Sequence, residues 1–297
     1  MSLIKNEKYK AAMHDSVELG RGMQRLLWSK SLDHGTFGFE FAVSYVLFLR
    51  AERSLASIRV LVRHGLNDDA MALVRVMVEK IITAEYILLV GMEPAMDFIQ
   101  FQAFSEWRTY QELKERNPAL TPSYTDEQLK TLEAAHDKAK IRITPDGPSR
   151  NRYGRGHDWT ELSLLKRAEK VDALLKKRHL VVATCFMFDA SYKKSAEYLH
   201  SSFASVARSI ERSGDKRKTP DGSGKVELDV DILIRDSGTR IGVDALKAAN
   251  VAAFQMLAFL VDVLKHKKSR QWALQFAAKK APRSRSNPVK SQNPRNT

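Results

Sequence analysis

The chain has 297 residues, 43% of them apolar and 28% charged, so it can bury a substantial core and does not read as disordered or fibrous. Its formal charge of +14 is uneven: Lys279–Thr297 holds six cations and no acid, leaving +8 for the rest. A single cysteine, Cys185, excludes an intramolecular disulfide and a cysteine-built metal cluster.

Fourteen glycines and nine prolines are few for this length, which points to long helices joined by a few true loops. Lys5–Ser29 reads as a first amphipathic helix, ended by the loop SLDHGTFGF. Glu40–His64 is a second helix, closed by Gly65. Leu66–Gly91 follows, a helix apolar on nearly every side and therefore expected at the centre of a bundle. Asn67, Asp68 and Asp69 are expected to cap it and to favour its positive end. A stripe of Arg75, Glu79 and Tyr86 interrupts its apolar surface, either as an ion pair holding helices in register or as the wall of a polar pocket.

Gly91-Met-Glu-Pro94 is expected to end that helix, and Pro94–Asn117 to form the next, with a ridge of Phe98, Phe101 and Phe104. Thr125–Lys140 opens with a capping box, Thr125 to Gln128, and belongs on the surface. Residues 141–158 form a loop rich in proline, glycine and arginine, and 213–224 a second polar break. Between them lie helices over Trp159–Leu175 and Leu180–Arg212; the neighbours of Cys185 on the latter make it a core thiol. The alternation in VELDVDILIR suits a strand or hairpin near 225–240, before a last helix over Val243–Ala278. The expectation is a mainly α chain: one helical bundle over 1–278 with a short β excursion, then a disordered basic tail over 279–297.

The opening residues are too polar for a secretion signal, and no window holds about eighteen uninterrupted apolar residues. A cytoplasmic protein without a membrane span is expected. Phosphate-cradling, dinucleotide-binding, HExxH and GxSxG motifs are missing from the sequence, so nucleotide hydrolysis, zinc proteolysis and α/β-hydrolase chemistry are poor fits, and no cofactor or metal is expected.

Candidate chemistry gathers in two places: the Arg75/Glu79 stripe, and His157 and Trp159 at the loop exit together with Tyr192, Ser195 and His200 on a later helix. The runs RHGLNDDAMALVRVMVEKIITAEYILL, HDWTELSLLKRAEKV and YKKSAEYLHSS resemble the prokaryotic family catalogued as domain of unknown function 5677. The resemblance spans roughly Glu40 to Ser202. It implies a helical protein in which Arg75, Glu79, Trp159, Tyr192, Ser195 and His200 belong to one site, and it supplies no activity. A further likeness is to HEPN helical domains, many of them metal-independent ribonucleases of defence and toxin systems. It rests on two Arg…His spacings, Arg59 to His64 and Arg150 to His157. Histidine as a base near neutral pH and arginine as a fixed cation on phosphate would suit RNA cleavage.

Three readings follow. One is a binding or interaction module for RNA, a ligand or a protein partner. Another is a HEPN-like ribonuclease in phage defence or stress response, with His200, His157, Arg75, Glu79, Tyr192 and Ser195 as catalytic candidates. The third is a purely structural bundle. Polyanion contact would fall to Arg150, Arg152 and Arg155 of the loop and to Lys279, Lys280, Arg283 and Arg285 of the tail. A homodimer is compatible with each reading.

Overall fold

The computed structural model describes residues 7–28, 38–143, 159–160, 162–178, 183–199 and 230–263. Its elements are α1 (Glu7–Leu27), α2 (Phe39–Arg63), α3 (Asn67–Val90), α4 (Met92–Arg116), a 3₁₀ turn (Pro118–Leu120), α5 (Asp126–Ile143) and α6 (Leu164–Lys177). After these come α7 (Thr184–Met187), a π-helical stretch (Phe188–Lys193), α8 (Lys194–Leu199) and α9 (Val230–Val263). The π stretch continues α7 into α8 without leaving helical dihedrals, so the three form one helix with a widened middle turn.

Helix α3 is the axis of the bundle, packed against α2, α4, α6, α8, α9 and the π stretch. Every residue from Ile81 to Ile87 is buried, which is the consequence of an apolar sequence that offers no solvent face. Met71, Val74, Met77, Val78, Ile81 and Ile82 are fully buried, and each such side chain stabilises the fold by about 1.5–3 kcal/mol. Helices α1 and α2 close one side. The Arg59 guanidinium donates to the Ser16 carbonyl at 2.8 Å, running past Gly20, where a Cβ would meet its Nη1 at 2.5 Å. Asn250 of α9 donates to the Ala12 carbonyl at 2.8 Å, tying the last helix to the first. Gly242 lets α9 approach α2 and α3, since a Cβ there would meet Asn67 and Val62.

Local signals explain most boundaries. Gly65 follows α2 in the left-handed region at φ 77°, where glycine carries no Cβ penalty. Gly91, at φ 113°, separates α3 from α4. Pro94 is not the stop expected of it: it lies in the first turn of α4, where its missing N–H would have had no helical partner. Leu66, not Asn67, is the N-cap of α3 and supplies no side-chain bond, while Asp68 and Asp69 sit in the first turn. The α5 capping box forms as read: Thr125 N–H donates to Gln128 Oε1 at 2.9 Å, and Gln128 N–H to Thr125 Oγ1 at 3.2 Å.

The expected strand near 225–240 does not form: Val230–Val263 is one helix, and no strand occurs among the described residues. The alternation in that stretch breaks at Ile232-Leu233-Ile234, and the stretch leads into an alanine-rich core helix. Extending an existing helix gains one hydrogen bond per residue fixed, whereas a strand here would find no partner strand among the described residues. By length and composition Arg240–Val263 could also cross a bilayer. Most of it packs inside the bundle, and Met256, Leu257 and Phe259 are fully buried. The tail, the second polar break and nearly all of the first loop lie outside the described residues.

Candidate functional site

Two polar clusters lie along α3, about three turns apart. In the first, the Arg75 guanidinium carbon sits 4.9 Å from the centroid of the Tyr192 ring, a cation–π contact between α3 and the π stretch. Tyr192 stacks in turn on Phe188 at 5.0 Å. Arg75 and Tyr192 are half-buried. Glu79 is exposed one turn along α3, and among the described residues no carboxylate pairs with Arg75. The expected Arg75–Glu79 ion pair therefore gives way to an arginine on an aromatic ring. Ser195 is fully buried and its hydroxyl donates to the Tyr192 carbonyl at 2.8 Å. That local bond ends at the backbone of its own helix.

The second cluster was not legible as a site. Glu85 is fully buried, with Thr184 Oγ1 donating to its Oε2 at 3.1 Å. Gln255 of α9 donates through Nε2 to Thr184 Oγ1 at 3.3 Å and accepts from the Ala183 N–H at 3.3 Å. The donors thus run in one direction, from Ala183 through Gln255 and Thr184 to Glu85. Burial pushes the Glu85 carboxyl well above the usual range; the Thr184 bond opposes this, and the nearby Asp172 charge adds to it. The balance favours the protonated form of Glu85, although Gln255 as well as Thr184 opposes it. Its Oε1 is buried with no hydrogen-bond partner among the described residues. A helical wheel would have found it: Glu85 stands three or four residues from Ile81, Ile82, Leu88 and Leu89.

Asp172 of α6 accepts from the Thr184 and Cys185 amides at 2.7 and 3.0 Å, capping the α7–α8 helix from another element. Cys185 is half-buried, not the core thiol expected, and its pKa is pushed up to about 12, first by burial and then by Asp172. A thiol near a helix start is usually made more acidic; here burial, and after it the capping carboxylate, reverse that. Alkylation of Cys185 at pH 8 is expected to be slow, and Asp172→Ala is expected to speed it and to cost about 1–2 kcal/mol through loss of the cap. An apparent thiol pKa unmoved in Asp172→Ala, read from alkylation rate against pH, would contradict this account.

Trp159 stands in a group of its own, on another face of α3. It meets Phe98 and Tyr86 edge-on at 5.3 and 5.9 Å, with the Arg167 guanidinium carbon 5.2 Å from its ring centroid. Arg167 is buried and donates to Thr83 Oγ1 at 3.1 Å and to the Leu162 carbonyl at 3.2 Å. Of the residues expected in one site, Arg75, Tyr192 and Ser195 come together, Glu79 stands on the same helix as Arg75, and Trp159 stands apart with Tyr86, Phe98 and Arg167. His157, His200, Arg150, Arg152, Arg155, Lys279, Lys280, Arg283 and Arg285 lie outside the described residues. Among the described residues no three His, Cys, Asp or Glu side chains converge in a metal-binding group.

Comparison with known families gives a match over residues 41–217 to a family of unknown function, DUF5677. The chain belongs to the DUF5677 family. The match begins in α2 and takes in α3, α6, α7 and α8, so Arg75, Glu85, Trp159, Thr184 and Tyr192 fall inside the DUF5677 region, while Gln255 falls outside it. No curated protein and no solved structure matches the chain.

Proposed function

We propose that the chain is a non-catalytic helical module that binds RNA or another phosphate-rich polyanion, with Arg75 at the contact face. The observation that carries this reading is the Arg75–Tyr192 stack: a half-exposed guanidinium seated on a ring, with no carboxylate pairing it among the described residues. Stacking restrains the fork, so less freedom is lost when its N–H groups meet phosphate oxygens. The net charge of +14 supplies the long-range attraction that such a partner requires. The remaining polar groups favour binding over chemistry. Ser195, Thr184 and Gln255 are engaged within the protein, and the Cys185 thiol stays protonated at neutral pH.

Fluorescence anisotropy with a labelled RNA oligonucleotide tests the reading. Affinity is expected to fall about tenfold in Arg75→Ala and steeply with added salt. Equal affinity of wild type and Arg75→Ala would overturn it. The same RNA incubated under chelator is expected to stay intact. Cleavage by the wild type that is lost in His157→Ala or His200→Ala would replace this proposal with the HEPN-like ribonuclease.

A further inference from the structure

Helices α4 and α5 form a hairpin whose second arm packs mainly on the first, and it carries a run of aromatic side chains unlike the aliphatic core. Phe104 stacks on His136 at 5.1 Å, Trp107 on Tyr110 at 5.8 Å, and Tyr110 leans on Tyr124 at 5.5 Å. Two open grooves of ≈ 480 and ≈ 500 Å³ flank Tyr124. Phe101, Tyr110, Tyr124 and Leu132 give them apolar walls, and Glu106 and Glu127 give them charge. Neither groove is lined by a lysine, arginine or histidine.

That is out of character for this chain. Residues 101–140 carry seven acids against six bases, in a protein whose net charge is +14. Two cations of the hairpin are already engaged: Arg108 pairs with Glu112 at 3.6 Å and lies over Phe104, and Lys114 lies over Tyr110, a wall of one groove. Glu106 is fixed by the Tyr124 hydroxyl, which donates to it at 2.9 Å, so carboxylate and ring form one surface. A ring beside a carboxylate is the environment that receives an ammonium or guanidinium group, through the ring face and the ion pair together. Phosphate would be repelled there.

The most cationic segment of the chain is Lys279–Thr297, with six cations and no acid. Val263 is the last described residue, and the fifteen residues from 264 to 278 can span up to about 50 Å when extended, enough to carry the segment across a bundle of this size. We infer that the basic segment Lys279–Thr297 docks on the Glu106/Tyr124/Glu127 face of the α4–α5 hairpin of its own chain. The docking is electrostatic and reversible, so a polyanion and the hairpin compete for the same cations.

Zero-length carbodiimide coupling of the full chain, mapped by mass spectrometry without RNA, tests this independently of the RNA-binding proposal. Lys279, Lys280 or Lys290 is expected to couple to Glu106 or Glu127. Yields should drop about threefold or more between roughly 0.05 and 1 M salt, as screening shortens. Glu106→Gln leaves the Glu127 carboxylate intact, yet is expected to lower coupling at Glu127 about threefold; Tyr124→Ala should do the same, with an unchanged helical signal as the control for folding. Coupling of the tail lysines only to other carboxylates, or yields at Glu127 indifferent to Glu106→Gln and to salt, would overturn the inference. In a mixture of isotopically light and heavy chains, links confined to light–heavy pairs would assign the groove to a second copy and likewise overturn it.

Discussion

Trp159→Ala is expected to lower the unfolding free energy by about 3–5 kcal/mol, the range for removing a large buried aromatic. At about 2–4 °C per kcal/mol for a protein of a few hundred residues, the melting temperature should fall by roughly 6–20 °C. The reason is position. Trp159 is 7% exposed and is the meeting point of α3, through Tyr86, of α4, through Phe98, and of α6, through Arg167. Truncation opens a cavity among three helices and removes the ring beneath a buried guanidinium. Trp159→Phe should recover more than half of the loss, since it keeps the edge-on contacts. Thermal melts followed by circular dichroism decide the matter. A Trp159→Ala variant that melts within 2 °C of the wild type, as a rough threshold, would refute its role in joining the three helices.

Glu85→Gln is expected to stabilise the protein at neutral and alkaline pH and to leave it unchanged in acid. The sign follows from linkage. The folded carboxyl titrates well above the 4.5 of an unperturbed glutamate, because burial penalises its charged form. Below the unfolded value both states are protonated and nothing is lost. As pH rises from there towards the folded value, the unfolded state gives up a proton that the folded state keeps, so stability declines through that window. Glutamine cannot ionise in either state and can still accept from Thr184. The variant's advantage should therefore grow with pH. Urea midpoints for both proteins at pH 4, 6 and 8 provide the comparison, and an advantage of equal size at all three would refute the neutral-acid assignment. Glu85→Ala differs: it leaves the Thr184 hydroxyl without its acceptor and opens a cavity, and should destabilise by about 2–4 kcal/mol at every pH.

The α3-centred bundle was legible because its signals are local and repeated. A largely apolar α3, with buried positions all round over Ile81–Ile87, has only one comfortable environment, and the Thr125/Gln128 capping box and Gly65 each act over a few residues. The segment from Val230 misled because alternation over a few residues fits a strand and a helix equally, and the deciding fact was the absence of a partner strand among the described residues. In the site, Arg75 and Tyr192 stood out as polar groups on helices otherwise made for a core. Their contact joins residues more than a hundred positions apart, which periodicity cannot supply. The Glu85 cluster was hidden for the same reason. Thr184 lies 99 residues from Glu85 and Gln255 a further 71 along, and neither type announces a site when read alone.

The π-helical turn between Met187 and Lys194 has an evolutionary consequence. Such a turn is an α-helix that has taken in one extra residue, so deleting a single residue from Phe188–Lys193 would restore regular winding. Because the widened turn absorbs the extra residue, the segment beyond it would keep nearly its present facing relative to α7, whereas a deletion in the flanking α-helical turns would rotate it by about 100°. Ser191 holds the Ala248 carbonyl of α9 at 2.9 Å, and Lys194 reaches Asp244 at 3.2 Å. These anchors and the Arg75–Tyr192 stack all lie on or beyond the inserted turn. Relatives that dock on α3 and α9 in this way should therefore tolerate loss of the one extra residue within Phe188–Lys193, but no other change of length between Thr184 and Ser195.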